Sequence, residues 1–339
     1  MNQDALAGVK LGLHMSPPNQ TASQLDLGPW GEANGFDSLW IPDGLGRMDA
    51  FTMAAGLAPR TDRIRLCLGI VPVYTRPAPV IATSAMTLSH LAPKRFVLGL
   101  GSSSHTMIER WYGIPFEKPL TRVRETTTLV RTILSGERTD FEGETIRSNA
   151  FRLGIAPQSE IPLYLAALRP KMLELAGEIA DGVILNLVPL ALLPRMLEHI
   201  DTGAKRSGRR LEDLEVVVFL YVFAGADTQT AEHEMANIAA GYFSTPVYSD
   251  FLKWMGHVDE AEAILEGFRT RDRSKTLRAF TPEVLHTLGI IGDPGQCRDA
   301  IAAYAAAGAD VPVITAGAAD DAAFRATLDA FARPDAAPA

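Results

Sequence analysis

Residues 94–104 read KRFVLGLGSSS, an apolar run that ends in glycine and then three serines. At the end of a buried strand, that composition lets backbone amides and hydroxyls close around a ligand, although glycine also serves simply to turn a chain. Farther on, IPLYLAALRPKMLELAGEIADG sets Pro170 in the first turn of a helix, where its missing N–H goes unneeded. The free amides and dipole of such a helix start, with Arg169 and Lys171 beside it, suit a phosphate; alternatively, both cations simply face solvent.

Three further side chains could do acid–base work. In SLWIPDG, Asp43 follows an apolar run directly, where a carboxylate can orient a ligand or move a proton; a carboxylate before glycine is also an ordinary turn or helix-cap device. His14 closes the run VKLGLH, and His105 follows the serines. Neither has metal-ligand company at a telling spacing, and each could equally be a polar residue satisfied by its neighbours. In LCLGIVPVYTRPAP, a glycine immediately before Ile70, with prolines at 72, 77 and 79, predicts an irregular strand end or a plain exit loop. The chain has no GxSxG elbow, phosphate-binding P-loop or HExxH pair, which argues against hydrolysis and phosphoryl transfer.

The elements that position these residues repeat. Short β-branched or apolar runs at 9–14, 38–41, 65–71, 96–100, 163–166, 182–185, 216–223 and 312–315 alternate with stretches of helical spacing, among them 78–89, 120–134, 170–180 and 297–307. Eight alternations predict a (β/α)8 TIM barrel, with function on the loops at the carboxyl ends of its strands. Residues 140–152 predict a hairpin turning at Glu142 and Gly143. Residues 226–288 form a long insertion before the last βα unit, and its cluster Tyr242, Phe243, Tyr248, Phe251 and Trp254 predicts helices that cover the active face or meet another subunit. Phe243, Trp254 and Met255 are candidates for an apolar substrate pocket or for ordinary core. The reading is of one barrel domain over residues 1–332 and a flexible tail over 333–339.

A net charge of −8 disfavours a phosphate-backbone binder, so no nucleic-acid partner is expected. Two cysteines, Cys67 and Cys297, indicate neither a disulfide framework nor a multi-cysteine metal site, and they make the cytoplasm the default compartment. No apolar run reaches the roughly 18 residues of a membrane span.

Taken together, TSAMTLSHLAPKRFVLGLGSSS, WYGIPFEKPLTRVRE, the fifth-strand segment above, YFSTPVY and GDPGQCRDAIAAYAAAGAD resemble the bacterial luciferase-like monooxygenase superfamily, and more closely its deazaflavin-dependent oxidoreductase branch. The resemblance spans nearly the whole chain. It implies a barrel binding coenzyme F420, a 5-deazaflavin, or else FMN. It implies a non-prolyl cis peptide at Gly69 and Ile70 behind the ring, Gly101, Ser102 and Ser103 near the ring or its ribityl chain, and Ala167, Leu168, Arg169 and Pro170 around its phosphate. Asp43 matches the acidic position beside the reactive end of the ring. In some deazaflavin enzymes a histidine follows that aspartate and an acid follows the glycine-rich strand; here Gly44 and Ser104 stand there. The implied activity is hydride transfer between F420 and a small organic substrate; Asp43 is the first polar candidate near the reacting carbon, and His14 and His105 rank below it as proton donors. The alternatives are an FMN-dependent monooxygenase supplied by a partner reductase, and a flavin-binding barrel without turnover. A homodimer or larger homo-oligomer is implied as well.

Overall fold

The computed structural model describes residues 3–16, 22–44, 46 and 48–334. Its strands are β1 (Gly12–His14), β2 (Ser38–Ile41), β3 (Arg65–Pro72), β4 (Phe96–Gly101), β5 (Asp140–Glu142), β6 (Arg147–Asn149), β7 (Leu163–Ala166), β8 (Gly182–Asn186), β9 (Glu215–Ala224), β10 (Gly289–Gly292) and β11 (Val311–Ala316). Eight of them, β1-β2-β3-β4-β7-β8-β9-β11, pair in parallel and close because β11 returns to β1. The protein is therefore a closed (β/α)8 barrel. Alternate residues of each strand point inward. Trp40, Cys67, Val97, Tyr164, Ile184, Val217, Phe219, Val311 and Val313 fill the interior as one buried cluster. The outward-facing residues join the apolar faces of the surrounding helices in a second, larger core.

The four helices expected between strands form as Ala78–Leu91, Pro119–Leu134, Pro170–Ile179 and Pro294–Ala306. Strand one is shorter than its apolar run. The Asp37 carboxylate takes the Leu11 amide at 2.8 Å, and Val9 closes a turn onto Leu6 through Gly8 at φ +73°, so pairing starts only at Gly12. In the hairpin the turn is Gly143–Ile146 and Glu142 is still paired. Glu125 of the helix Pro119–Leu134 reaches into that turn and accepts the amides of Glu144, Thr145 and Ile146. A Cβ at position 143 would lie 2.5 Å from the Glu125 carboxyl carbon, which explains the glycine.

The insertion is helical, running as Thr228–Phe243, Pro246–Trp254, Val258–Arg269, Arg273–Arg278 and Pro282–Leu288 before β10. That ninth strand is unexpected from sequence, since GIIG is too short to announce itself. It exists because β9 overshoots the barrel: β11 lies along Val217–Val222, while the opposite edge is shared in series by β8 at Glu215–Phe219 and β10 at Tyr221–Ala224. At the other terminus Arg333, expected to begin a loose tail, is anchored. Its guanidinium donates to the carbonyls of Leu6, Val9 and Gly35, and its amide to Asn34. The rest of that expected tail, residues 335–339, lies outside the described residues.

Candidate functional site

The carboxyl ends of β3 and β4 are shaped by glycine. Between Leu68 and Val71 the β3–β4 register shifts, and the Gly69–Ile70 peptide is cis, as the resemblance implies. The shift presses the Leu68 carbonyl against β4, where a Cβ at Gly99 would overlap its oxygen. One turn of the pleat higher, a Cβ at Gly101 would meet Ile70 Cδ1 at 3.1 Å and Ala166 Cβ at 3.2 Å. Gly99 and Gly101 thus let the Ile70 side chain, and at Gly99 that of Ile184 as well, pack directly onto β4. Gly69 has a different reason to be glycine. Its Cβ would lie 2.9 Å from Phe219 and 3.0 Å from Trp40, so a bulky residue there would disturb barrel packing before any ligand.

His14 stands at the end of β1 and is buried. Its Nδ1 is 3.3 Å from the Thr315 hydroxyl and its ring 4.9 Å from that of Phe219. Burial lowers its pKa to about 4, so at neutral pH it is an uncharged imidazole. Asp43 is not a free carboxylate. Its side chain is 6% exposed and ion-paired to Arg76, which also pairs with Asp49, and it accepts the amide of Ala50 at 3.3 Å. Asp49 itself caps the helix Ala50–Leu57 through Thr52. Asp43 therefore steadies a helix start, as the capping reading has it, and is held by Arg76 beyond the end of β2.

Beyond β4, Ser103 takes a left-handed φ of +60° and its hydroxyl lies 3.4 Å from Met107 Sδ, while Ser102 Oγ donates to the Ser103 carbonyl at 3.3 Å. His105 is half exposed, pairs with Glu109 on a π-helical turn, Thr106–Trp111, and faces the ring edge of Phe116. It faces away from His14 in kind: one is dry and neutral, the other wet and beside a carboxylate. Pro170 opens its helix as expected, Ala167 is buried beside it, and Leu168 is partly buried. Arg169 is engaged by Asp250 at 2.8 Å, with both side chains about half exposed, so neither simple solvation nor a free cation describes it.

A sequence model described as luciferase-like monooxygenase matches residues 6–311. The chain belongs to the luciferase-like monooxygenase family. A protein of Mycobacterium tuberculosis assigned as a coenzyme F420-dependent oxidoreductase is 30% identical over 348 residues, covering 93% of this chain and 97% of its own. The 5,10-methylenetetrahydromethanopterin reductase of Methanolobus tindarius is 28% identical over 85% of this chain and 88% of its own. Among solved structures, the coenzyme F420-dependent tetrahydromethanopterin reductase of Methanopyrus kandleri superposes with a TM-score of 0.79 at 25% identity, covering 93% of this chain and 96% of that one.

In this luciferase-like barrel, a polar group over the mouth escaped the sequence reading. Tyr221, on the overshooting end of β9, donates to Tyr242 at 2.9 Å; the rings of Tyr242 and Tyr248 lie 4.9 Å apart, and Asn186 at the end of β8 donates to the Tyr248 hydroxyl at 3.2 Å. Burial pushes the hydroxyls of Tyr221 and Tyr248 well above the ordinary phenol range. The Asn186 carbonyl oxygen is buried without a partner, and Leu187 beyond it holds φ +55°, a strained setting for leucine. The insertion thus packs on the carboxyl ends of β8 and β9. Phe243 and Trp254 do not form a pocket: Phe243 is fully buried against Tyr248 and Phe280, and Trp254 packs on Phe251 and His199 under Arg195. The only sequence signal for the tyrosines was the aromatic cluster itself; Arg76 carried none.

Proposed function

We propose that the protein is an oxidoreductase that moves hydride between coenzyme F420 and a small organic substrate. The observation that carries this reading is end-to-end similarity to proteins named for F420, together with the cis Gly69–Ile70 bulge seated on the glycines of β4. Bound there, the deazaflavin supplies a carbon hydride donor or acceptor, and the chain supplies position and electrostatics. Gly69 and Ile70 back the ring, Gly101, Ser102 and Ser103 line its edge or ribityl chain, and Ala167, Leu168, Arg169 and Pro170 receive its phosphate. Asp43, held in place by Arg76, keeps a fixed negative charge at the reacting side; His14, neutral at pH 7, can offer or accept a hydrogen bond without adding charge. The exposed His105–Glu109 pair is the weaker candidate for proton exchange. The tyrosine group roofs the substrate space. The active form in this proposal is a homodimer or larger assembly, soluble and cytoplasmic; among the described residues no helix is long and apolar enough to cross a membrane.

The family description favours one second reading, an FMN-dependent monooxygenase fed by a reductase. Parallel titration of the apoprotein with F420 and FMN selects between them: tighter F420 binding is expected. With a competent substrate under strict anaerobiosis, deuterium at C5 of reduced F420 should appear in the product. Preferential FMN binding, with product formed only in the presence of oxygen, overturns the proposal, and F420 binding without exchange toward any substrate leaves a non-catalytic barrel.

A further inference from the structure

Beside the barrel mouth, the start of the helix Ala78–Leu91, the helix Pro119–Leu134 along Arg122, Thr126 and Leu129, and the β5–β6 hairpin line a cavity of about 240 Å³, together with Tyr74, Arg76, Thr145 and Arg147. Three arginines on one small cavity are unexpected in a chain of net charge −8. Arg76 is neutralised by Asp43 and Asp49. The other two are not. Arg122 donates to the carbonyls of Thr145 at 2.6 Å and Val73 at 3.4 Å and lies 5.2 Å over the Tyr74 ring, but no carboxylate pairs with it among the described residues. Arg147, on the exposed edge of the hairpin, has no ion pair among them either. Of the nearby acids, Glu125 is spent on the hairpin amides and the Thr145 hydroxyl and Glu144 on Lys118, while Glu142 lies opposite Arg147 across the hairpin without an ion pair to it.

A second observation points to a ligand. Thr126 is 1% exposed, lines this cavity, and its hydroxyl has no hydrogen-bond partner. A buried hydroxyl without a partner costs on the order of a hydrogen bond, so such groups are rare in the absence of something that satisfies them. The start of the helix Ala78–Leu91 adds its positive dipole end at Pro77 and Ala78. Two guanidinium groups without an ion pair, an idle hydroxyl and a helix start together match a small oxyanion.

We propose that this cavity is an anion subsite, taking the phosphate or carboxylate group of a small molecule, and separate from the β7 loop at Ala167–Pro170 where the coenzyme phosphate is assigned. It does not depend on which coenzyme the barrel binds. Arg76 borders the cavity and also holds Asp43, so the two lie side by side without sharing a ligand group.

Inorganic phosphate and succinate are the probes, titrated by calorimetry into the full-length protein with and without saturating F420 or FMN. Expected are saturable binding of at least one probe, unaffected by the coenzyme, and weakening of at least fivefold in Arg147→Ala and in Thr126→Val. Competition with the coenzyme would hand the cavity to the coenzyme's own anionic group and overturn a separate subsite. Binding that both variants leave unchanged, or no saturable binding, overturns it as well. Thr126→Val has its own control. Without phosphate its melting temperature should equal or exceed that of the parent, because an unpartnered hydroxyl is removed, whereas phosphate should raise the parent's melting temperature more than the variant's. A variant that melts several degrees lower without phosphate would mean that the hydroxyl already has a structural partner, against the proposal.

Discussion

The two ends of the barrel interior are built on opposite plans. At the amino-terminal end, Arg65 pairs with Glu215 at 2.9 Å, and the Tyr164 hydroxyl donates to the same carboxylate at 2.6 Å, with Cys67 buried just above. Charges there meet each other across strands β3, β7 and β9 and plug the barrel. At the carboxyl end the inward positions turn small or uncharged: Gly99, Gly101 and Ala166 on one wall, a neutral His14 and Thr315 on another. The same eight strands therefore carry a floor plugged by an ion pair, with Arg65 Nη2 left without a partner, and a mouth without such a pair among its described inward side chains. A floor that serves stability and a mouth that serves a ligand is the division expected of this architecture.

Four outcomes would break or sharpen that contrast. The largest effect is expected at the floor. Glu215→Ala leaves Arg65 and the Tyr164 hydroxyl without their shared acceptor, and removing one partner of a partly buried pair costs about 3 kcal/mol or more. Chemical denaturation should show that loss while coenzyme affinity of the folded fraction stays the same; an equal fall in affinity would mean that floor and mouth are not separable.

The next effect is a pH dependence from His14. The unfolded histidine titrates near 6.5 and the folded one near 4. Between those values the unfolded chain binds more proton, so acid favours unfolding. The contribution is intact above pH 6.5 and is lost as pH falls to about 4, up to about 3 kcal/mol. Denaturation midpoints of the parent and His14→Asn should converge over that window; parallel curves would show that His14 is not held neutral by burial.

At the mouth, Gly99→Ala drives a methyl into the Leu68 carbonyl, and the strand must shift, at a cost of about 1–3 kcal/mol. Coenzyme affinity should fall with it, because the bulge and the wall move together. A stable variant with unchanged affinity would remove β4 from the proposed site.

The smallest change in stability is expected for Asp43→Asn, which keeps a cap on Ala50 but loses the charge facing Arg76, at about 1 kcal/mol. Turnover should fall by far more than coenzyme binding. Retained turnover would return Asp43 to a purely structural role.

Local chemistry made much of this legible from sequence. The eight strands were visible because a buried parallel strand must be apolar and a crossover helix must be amphipathic, and both patterns are written in consecutive residues. The GLG run on β4 and the proline-started helix after β7 were equally local. Other features needed partners distant in the chain. Nothing adjacent to Asp43 announces Arg76, 33 residues later in the chain, yet that pairing decides whether the carboxylate is free. Gly69 and Gly99 read alike as strand-end glycines; only the three-dimensional neighbours separate one that spares Trp40 and Phe219 from one that admits a backbone oxygen.

By itself, then, the sequence determined the alternation that closes a barrel and the glycine and proline positions that shape its strand ends, because each follows from backbone propensity and burial along a short stretch. Tertiary structure alone decided which polar groups are spent and which are spare. Asp43 is spent on Arg76, Glu125 on the hairpin and Arg169 on Asp250, while Thr126, Asn186 and Arg147 keep capacity. The physical reason is that hydrogen bonds and ion pairs are settled at about 3 Å between side chains brought together by strand closure and helix packing, distances that spacing along the chain does not encode.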